Sequence, residues 1–148
     1  MIHLAGKGGP VKEIAGSCAE QGITAYVREF EEHMDIAWSA ADAAICRSGA
    51  ATLSELVHYA VPAILIPFPH AADQHQLKNA QFIEKGVQGA VVMEESSLSS
   101  EAIKNTLVEW ALLNPKARTQ LQQNIHKFRE EQKKMDLVPL IENMLRTE

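Results

Sequence analysis

The sequence predicts an α/β protein in which a parallel sheet carries helices on both faces, as one domain over residues 1–148. Three observations predict it. Short apolar runs alternate with stretches of helical spacing, small or polar residues separate them, and the polar clusters suited to a ligand each follow an apolar run and open a helix. In a parallel sheet that is the carboxyl end of the strands, where ligands of such folds bind.

Each element has its own signal. Met1 to Ala5 reads as a strand, Gly6 to Pro10 as a glycine-rich turn, and Val11 to Gln21 as a helix closed by Gly22. Ile23 to Phe30 is the next strand and Met34 to Ala41 a short helix. Strand Ala43 to Cys46, turn Arg47-Ser48-Gly49 and helix Ala51 to Tyr59 follow, then strand Ala63 to Pro67. The polar loop Phe68 to Ala72 leads into a helix from Asp73, a plausible N-cap, to Lys85, stopped by Gly86. Ala90 to Met93 is the last strand. Helical spacing returns over Ser99 to Leu113 and Lys116 to Lys134, with Pro115 opening the second, and Val138 to Leu145 makes a final short helix.

Composition narrows the function. With 148 residues, 46% of them hydrophobic, the chain supports a sizeable core. A net charge of −5 excludes a general nucleic-acid surface, which needs clustered Lys and Arg. The apolar stretch Ala60 to Phe68 is too short to span a bilayer, and no basic-then-apolar segment opens the chain, so a cytoplasmic protein is expected. Cys18 and Cys46 read as packing residues, and His3, His33, His58, His70 and His126 have no companion at metal-ligand spacing. No metal is expected. The Lys, Arg and Glu of 116–134 read as a solvated face.

The richest stretch runs from Ile45 to Glu55. A helix that starts straight after a strand presents backbone N–H groups without intrahelical partners, and its dipole adds partial positive charge. Gly49, Ala50 and Ala51 carry almost no side chain, so a phosphate could reach the N–H groups of Ala50, Ala51 and Thr52. Glu55 lies one turn further on the same face, where its carboxylate could accept both hydroxyls of a ribose. The same residues also fit a capping box, with Glu55 reaching back to the Thr52 N–H. A second cluster, Asp73 with His75, Gln76 and Asn79, opens another helix at the same sheet edge, with imidazole and amide groups suited to sugar hydroxyls.

Cys46-Arg47-Ser48-Gly49-Ala50-Ala51-Thr52-Leu53-Ser54-Glu55, then Pro62-Ala63-Ile64-Leu65-Ile66-Pro67-Phe68-Pro69 and Asp73, His75, Gln76, Asn79 and Ala80, strongly resemble the carboxyl-terminal half of the MurG family of glycosyltransferases. The resemblance runs from His3-Leu4-Ala5-Gly6-Lys7-Gly8 to the terminal helices, about 116–148. It implies the donor half of a GT-B fold, a Rossmann-like domain, and a donor of UDP-N-acetylglucosamine. It also implies a lipid-linked muramoyl-peptide acceptor, and an enzyme peripheral on the cytoplasmic face of the plasma membrane.

By that match Ala50, Ala51 and Thr52 cradle the diphosphate, Glu55 holds the ribose, Phe30 and Glu31 flank the uracil, and His75 and Gln76 contact the donor sugar. Arg47 supports the diphosphate or the cleft between domains, and Gly6 supplies a backbone donor where Ala5 replaces the family's Ser or Thr. The acceptor domain, with the general base, has no counterpart in 1–148. The first strand of the donor domain is also lacking. In the strand order 3-2-1-4-5-6 that strand is central, so Met1 to Ala5 and Ala43 to Cys46 should face a gap for a partner chain or a shifted sheet to fill. Alone, the chain is expected to bind donor weakly and to turn over nothing. The alternatives are a catalytic subunit that needs a membrane-bound partner, and a non-enzymatic remnant of the fold.

Overall fold

The computed structural model describes residues 1–110 and 114–133. The chain forms two compact units, Met1–Ala41 and a second that begins at Asp42. In the first, β1 (Ile2–Leu4) leads through the glycine-rich turn to α1 (Val11–Glu20), then to β2 (Tyr26–Arg28) and α2 (Met34–Ser39). β1 and β2 pair in parallel, with His3 opposite Val27. Val27, Cys18 and Trp38 are its buried apolar residues.

The second unit contains β3 (Ala44–Cys46), α3 (Ala50–Tyr59), β4 (Ala63–Leu65), α4 (His75–Gln81), β5 (Ala90–Val92), α5 (Ser100–Val108) and α6 (Pro115–Lys133). Its sheet is parallel in the order β3-β4-β5, with Ile64 opposite both Ile45 and Val91. All of β4 is buried, which its unbroken apolar run requires of a central parallel strand. α3 packs against α4 and α6, and Leu56 and Ile125 are fully buried. Gly89 makes room for α6: a Cβ there would lie 2.4 Å from the Ile125 side chain.

β1-β2 and β3-β4-β5 are separate parallel sheets, one in each unit. Ala44 donates to Pro62 C=O and Cys46 C=O accepts from Ile66, so residues 44 and 46 face β4. Strand alternation turns the Ile45 N–H and C=O to the opposite edge, where the sheet has no further strand.

The strands are shorter than expected, three residues each, because only those residues share a ladder. Two helix boundaries differ for local reasons. Asp73 is not an N-cap: it lies inside a 3-10 turn (Ala72–Gln74) at φ 50°, and Gln74, at φ 53°, caps α4. Gly86 does not stop the following helix. It lies inside a π-type turn (Phe82–Val87) that ends on left-handed Gln88, with the Phe82 ring against its open face. α5 gives way to a π-type turn at Glu109 and Trp110, and the remainder of the expected helix to Leu113, like the expected helix from Val138 to Leu145, lies outside the described residues. Among the described residues no helix is long and apolar enough to cross a membrane.

Candidate functional site

The turn from β3 to α3 holds the first group of residues. Gly49 is the N-cap in extended conformation, φ −66° and ψ 150°, and no side chain caps the helix. The first intrahelical bond runs from Leu53 N–H to Gly49 C=O at 3.0 Å. The N–H groups of Ala50, Ala51 and Thr52 are therefore those that helix geometry leaves without an intrahelical acceptor. A Cβ built on Gly49 would meet only Thr52 Oγ1, at 4.0 Å, so the space beside this glycine is open. Thr52 is the third helical residue rather than the cap, which removes the capping-box reading: the chain is helical from Ala50, two residues before that box would start. Glu55 stands half-buried one turn beyond Ala51 and Thr52.

Ser48, fully buried, ties this turn to the loop after β4. Its Oγ donates to Gln76 C=O at 2.8 Å, and its own C=O accepts from Asn79 Nδ2 at 3.1 Å. Gln76 Oε1 in turn accepts from Phe68 N–H at 3.0 Å. In this arrangement Gln76 and Asn79 hold backbone, and the loop between them and β4 is fastened at both ends. His75 is exposed, with Nδ1 2.7 Å from Ala72 C=O. A carbonyl can only accept, so Nδ1 carries the proton and Nε2 of the neutral ring is an acceptor.

Arg47 lies beside this loop. Its Nη1 donates to Ile66 C=O at 3.3 Å, to Pro67 C=O at 3.2 Å and to Glu95 Oε2 at 2.8 Å. Its guanidinium lies 5.6 Å from the centre of the Phe68 ring. Cys46, at the end of β3, is a free thiol whose pKa burial pushes up to about 11.

The first unit holds the remaining candidates. Gly6 and Gly8 take φ 78° and 74°, and Gly9 N–H donates to Gly6 C=O at 3.0 Å. Beside this turn an open cavity of about 720 Å³ is lined by Gly9, Pro10, Val11, Arg28, Phe30 and Glu32. Phe30 is 74% exposed on its rim. Glu31 is held locally. His33 N–H donates to Oε1 at 2.9 Å and Tyr26 O–H to Oε2 at 2.8 Å, and these bonds, the His33 one first, hold its carboxyl below the usual carboxylate range.

Sequence reasoning singled out the turn and start of α3 but missed the bonds of Ser48 and Glu95. A small polar residue between a buried strand and a glycine was the available signal for Ser48, since a buried hydroxyl needs a partner. Glu95 gave none, being 48 residues from Arg47.

Residues 1–138 match the glycosyltransferase family 28 C-terminal domain, and the chain belongs to that family. It is 36% identical, over 87% of its length, to the UDP-N-acetylglucosamine--N-acetylmuramyl-(pentapeptide) pyrophosphoryl-undecaprenol N-acetylglucosamine transferase of Protochlamydia amoebophila, covering 34% of that protein. It is 43% identical to the same-named protein of Chromohalobacter salexigens over 66% of this chain and 26% of the relative. Among solved structures it resembles MurG of Acinetobacter baumannii, with a TM-score of 0.73 and 29% identity over 85% of this chain and 36% of that one. The chain thus spans about a third of the length of such relatives.

Proposed function

We propose that this chain is the donor-nucleotide half of a glycosyltransferase that takes N-acetylglucosamine from UDP-N-acetylglucosamine and delivers it to a lipid-linked muramoyl-peptide. The observation that carries this reading is the start of α3. Three consecutive backbone N–H groups, with no side-chain cap, stand at the carboxyl end of a parallel strand beside an open glycine. That is a diphosphate site. The names of the relatives supply the donor and acceptor classes.

In this reading the amides of Ala50, Ala51 and Thr52 receive the diphosphate and Glu55 accepts the ribose hydroxyls. His75 Nε2 accepts from a sugar hydroxyl, and Gln76 and Asn79 keep the loop in place for it. As the acceptor hydroxyl attacks the anomeric carbon, negative charge grows on the departing UDP, and the α3 dipole stabilises it without a metal. The general base and the lipid site belong to polypeptide beyond residues 1–148, so the chain alone binds donor without transferring sugar.

The edge of β3 that faces away from β4 favours pairing with an additional strand from such polypeptide. Equilibrium dialysis against UDP-N-acetylglucosamine, UDP-glucose and CMP tests the donor assignment. Saturable binding in that order of preference is expected, and equal retention of all three would refute it.

A further inference from the structure

We propose that Arg47 is a positioning residue that fixes the sugar-reading loop rather than a ligand of the diphosphate, with Glu95 as its anchor. The inference deepens the donor-binding reading and rests on it. Arg47 is the one cation of the turn that precedes α3, between Cys46 and Gly49, which makes a direct phosphate contact the obvious expectation. Its bonds run elsewhere. One nitrogen, Nη1, serves two consecutive carbonyls at the end of β4, Ile66 and Pro67, and the Glu95 carboxylate. The Glu95 carboxylate at 2.8 Å gives the same nitrogen an ion-pair partner on the loop side.

The two carbonyls lie where the chain leaves the sheet. Pro67 has no N–H, so ladder bonding ends there and the direction of the following residues depends on what holds the carbonyls. The next residue, Phe68, meets the same guanidinium through its ring and gives its N–H to Gln76 Oε1. Gln76 is held by Ser48, the neighbour of Arg47. Arg47 and Ser48 thus grip the two ends of one loop, Phe68 to His75, from adjacent positions in the phosphate turn. Ser48 fixes where the loop rejoins helix α4, and Arg47 fixes where it departs from β4.

A direct ligand and a positioning residue are separated by the part of the donor that loses affinity. Titration of Arg47→Ala with UDP and with UDP-N-acetylglucosamine should leave the UDP Kd within about twofold and weaken the sugar nucleotide roughly tenfold, the effect of one charge-assisted contact. Equal weakening of both ligands would make Arg47 a diphosphate ligand and overturn the proposal. An unchanged preference for the sugar nucleotide would overturn it too.

Hydrogen exchange of the ligand-free chain tests the same claim without any binding. The Phe68 amide should exchange about tenfold faster in Arg47→Ala and in Glu95→Ala, while the Leu53 and Leu56 amides of α3 keep their rates. An unchanged Phe68 amide would refute the positioning role. If the unsubstituted chain binds neither nucleotide, the donor reading fails on its own and the exchange result still decides whether Arg47 holds the loop.

Discussion

Ser48 Oγ donates to the backbone carbonyl of Gln76 at 2.8 Å, and this one buried hydroxyl joins the turn before α3 to the helix that carries His75. Replacing it by Ala leaves the Gln76 carbonyl without that bond inside the protein. The expected loss is about 0.5–1.5 kcal/mol of stability, the net worth of one hydrogen bond, since the Gln76 carbonyl also serves as a helical acceptor within α4. Thermal unfolding of Ser48→Ala against the parent chain measures it, and an unchanged Tm would mean that water replaces the hydroxyl.

Gly89 sets the distance between the turn before β5 and α6. A methyl group there would overlap Ile125 Cγ1 and Cδ1, both on a fully buried side chain. Gly89→Ala should cost roughly 1–3 kcal/mol, as overpacking does. The companion substitution Ile125→Val, which removes Cδ1, should recover part of that loss in a double-mutant cycle.

Cys46 gives the stability a dependence on alkaline pH. Burial moves its thiol from 9.0 to about 11, so the folded chain keeps a proton that the unfolded chain releases first. The stabilisation is complete below pH 9 and is lost as pH rises towards 11. Its size is on the order of 2 kcal/mol. Urea unfolding at pH 8 and pH 10.5 should show a smaller fall in Cys46→Ala than in the parent, and parallel falls would place the cause elsewhere.

Ala50 separates stability from binding. An Asp at this exposed first helical position faces the positive end of the α3 dipole, worth about 0.3–1 kcal/mol of added stability. The same carboxylate occupies the diphosphate approach and repels the ligand. Ala50→Asp should raise the Tm and abolish UDP binding, whereas retained binding would mean that the diphosphate enters elsewhere.

The legible part of this protein was what local rules control. Alternating apolar runs gave the five parallel strands, and the small residues after Cys46 gave a helix start, one residue earlier than expected, at Ala50. What escaped was tertiary. The left-handed conformations at Asp73 and Gln74 moved the α4 cap, because the loop is held from Ser48 and Arg47, twenty or more residues away in sequence. Gly86 failed as a stop signal because the turn around it widened to a π form.

The most direct test of the donor-site account is calorimetric titration of the 148-residue chain with UDP, repeated with UMP and with Glu55→Ala. The account predicts that UDP binds more tightly than UMP, because the second phosphate reaches the α3 amides, and that Glu55→Ala weakens both nucleotides by a common factor through the ribose. Equal affinity for UDP and UMP, or binding unaffected by Glu55→Ala, would contradict the assignment of α3 as the diphosphate and ribose site.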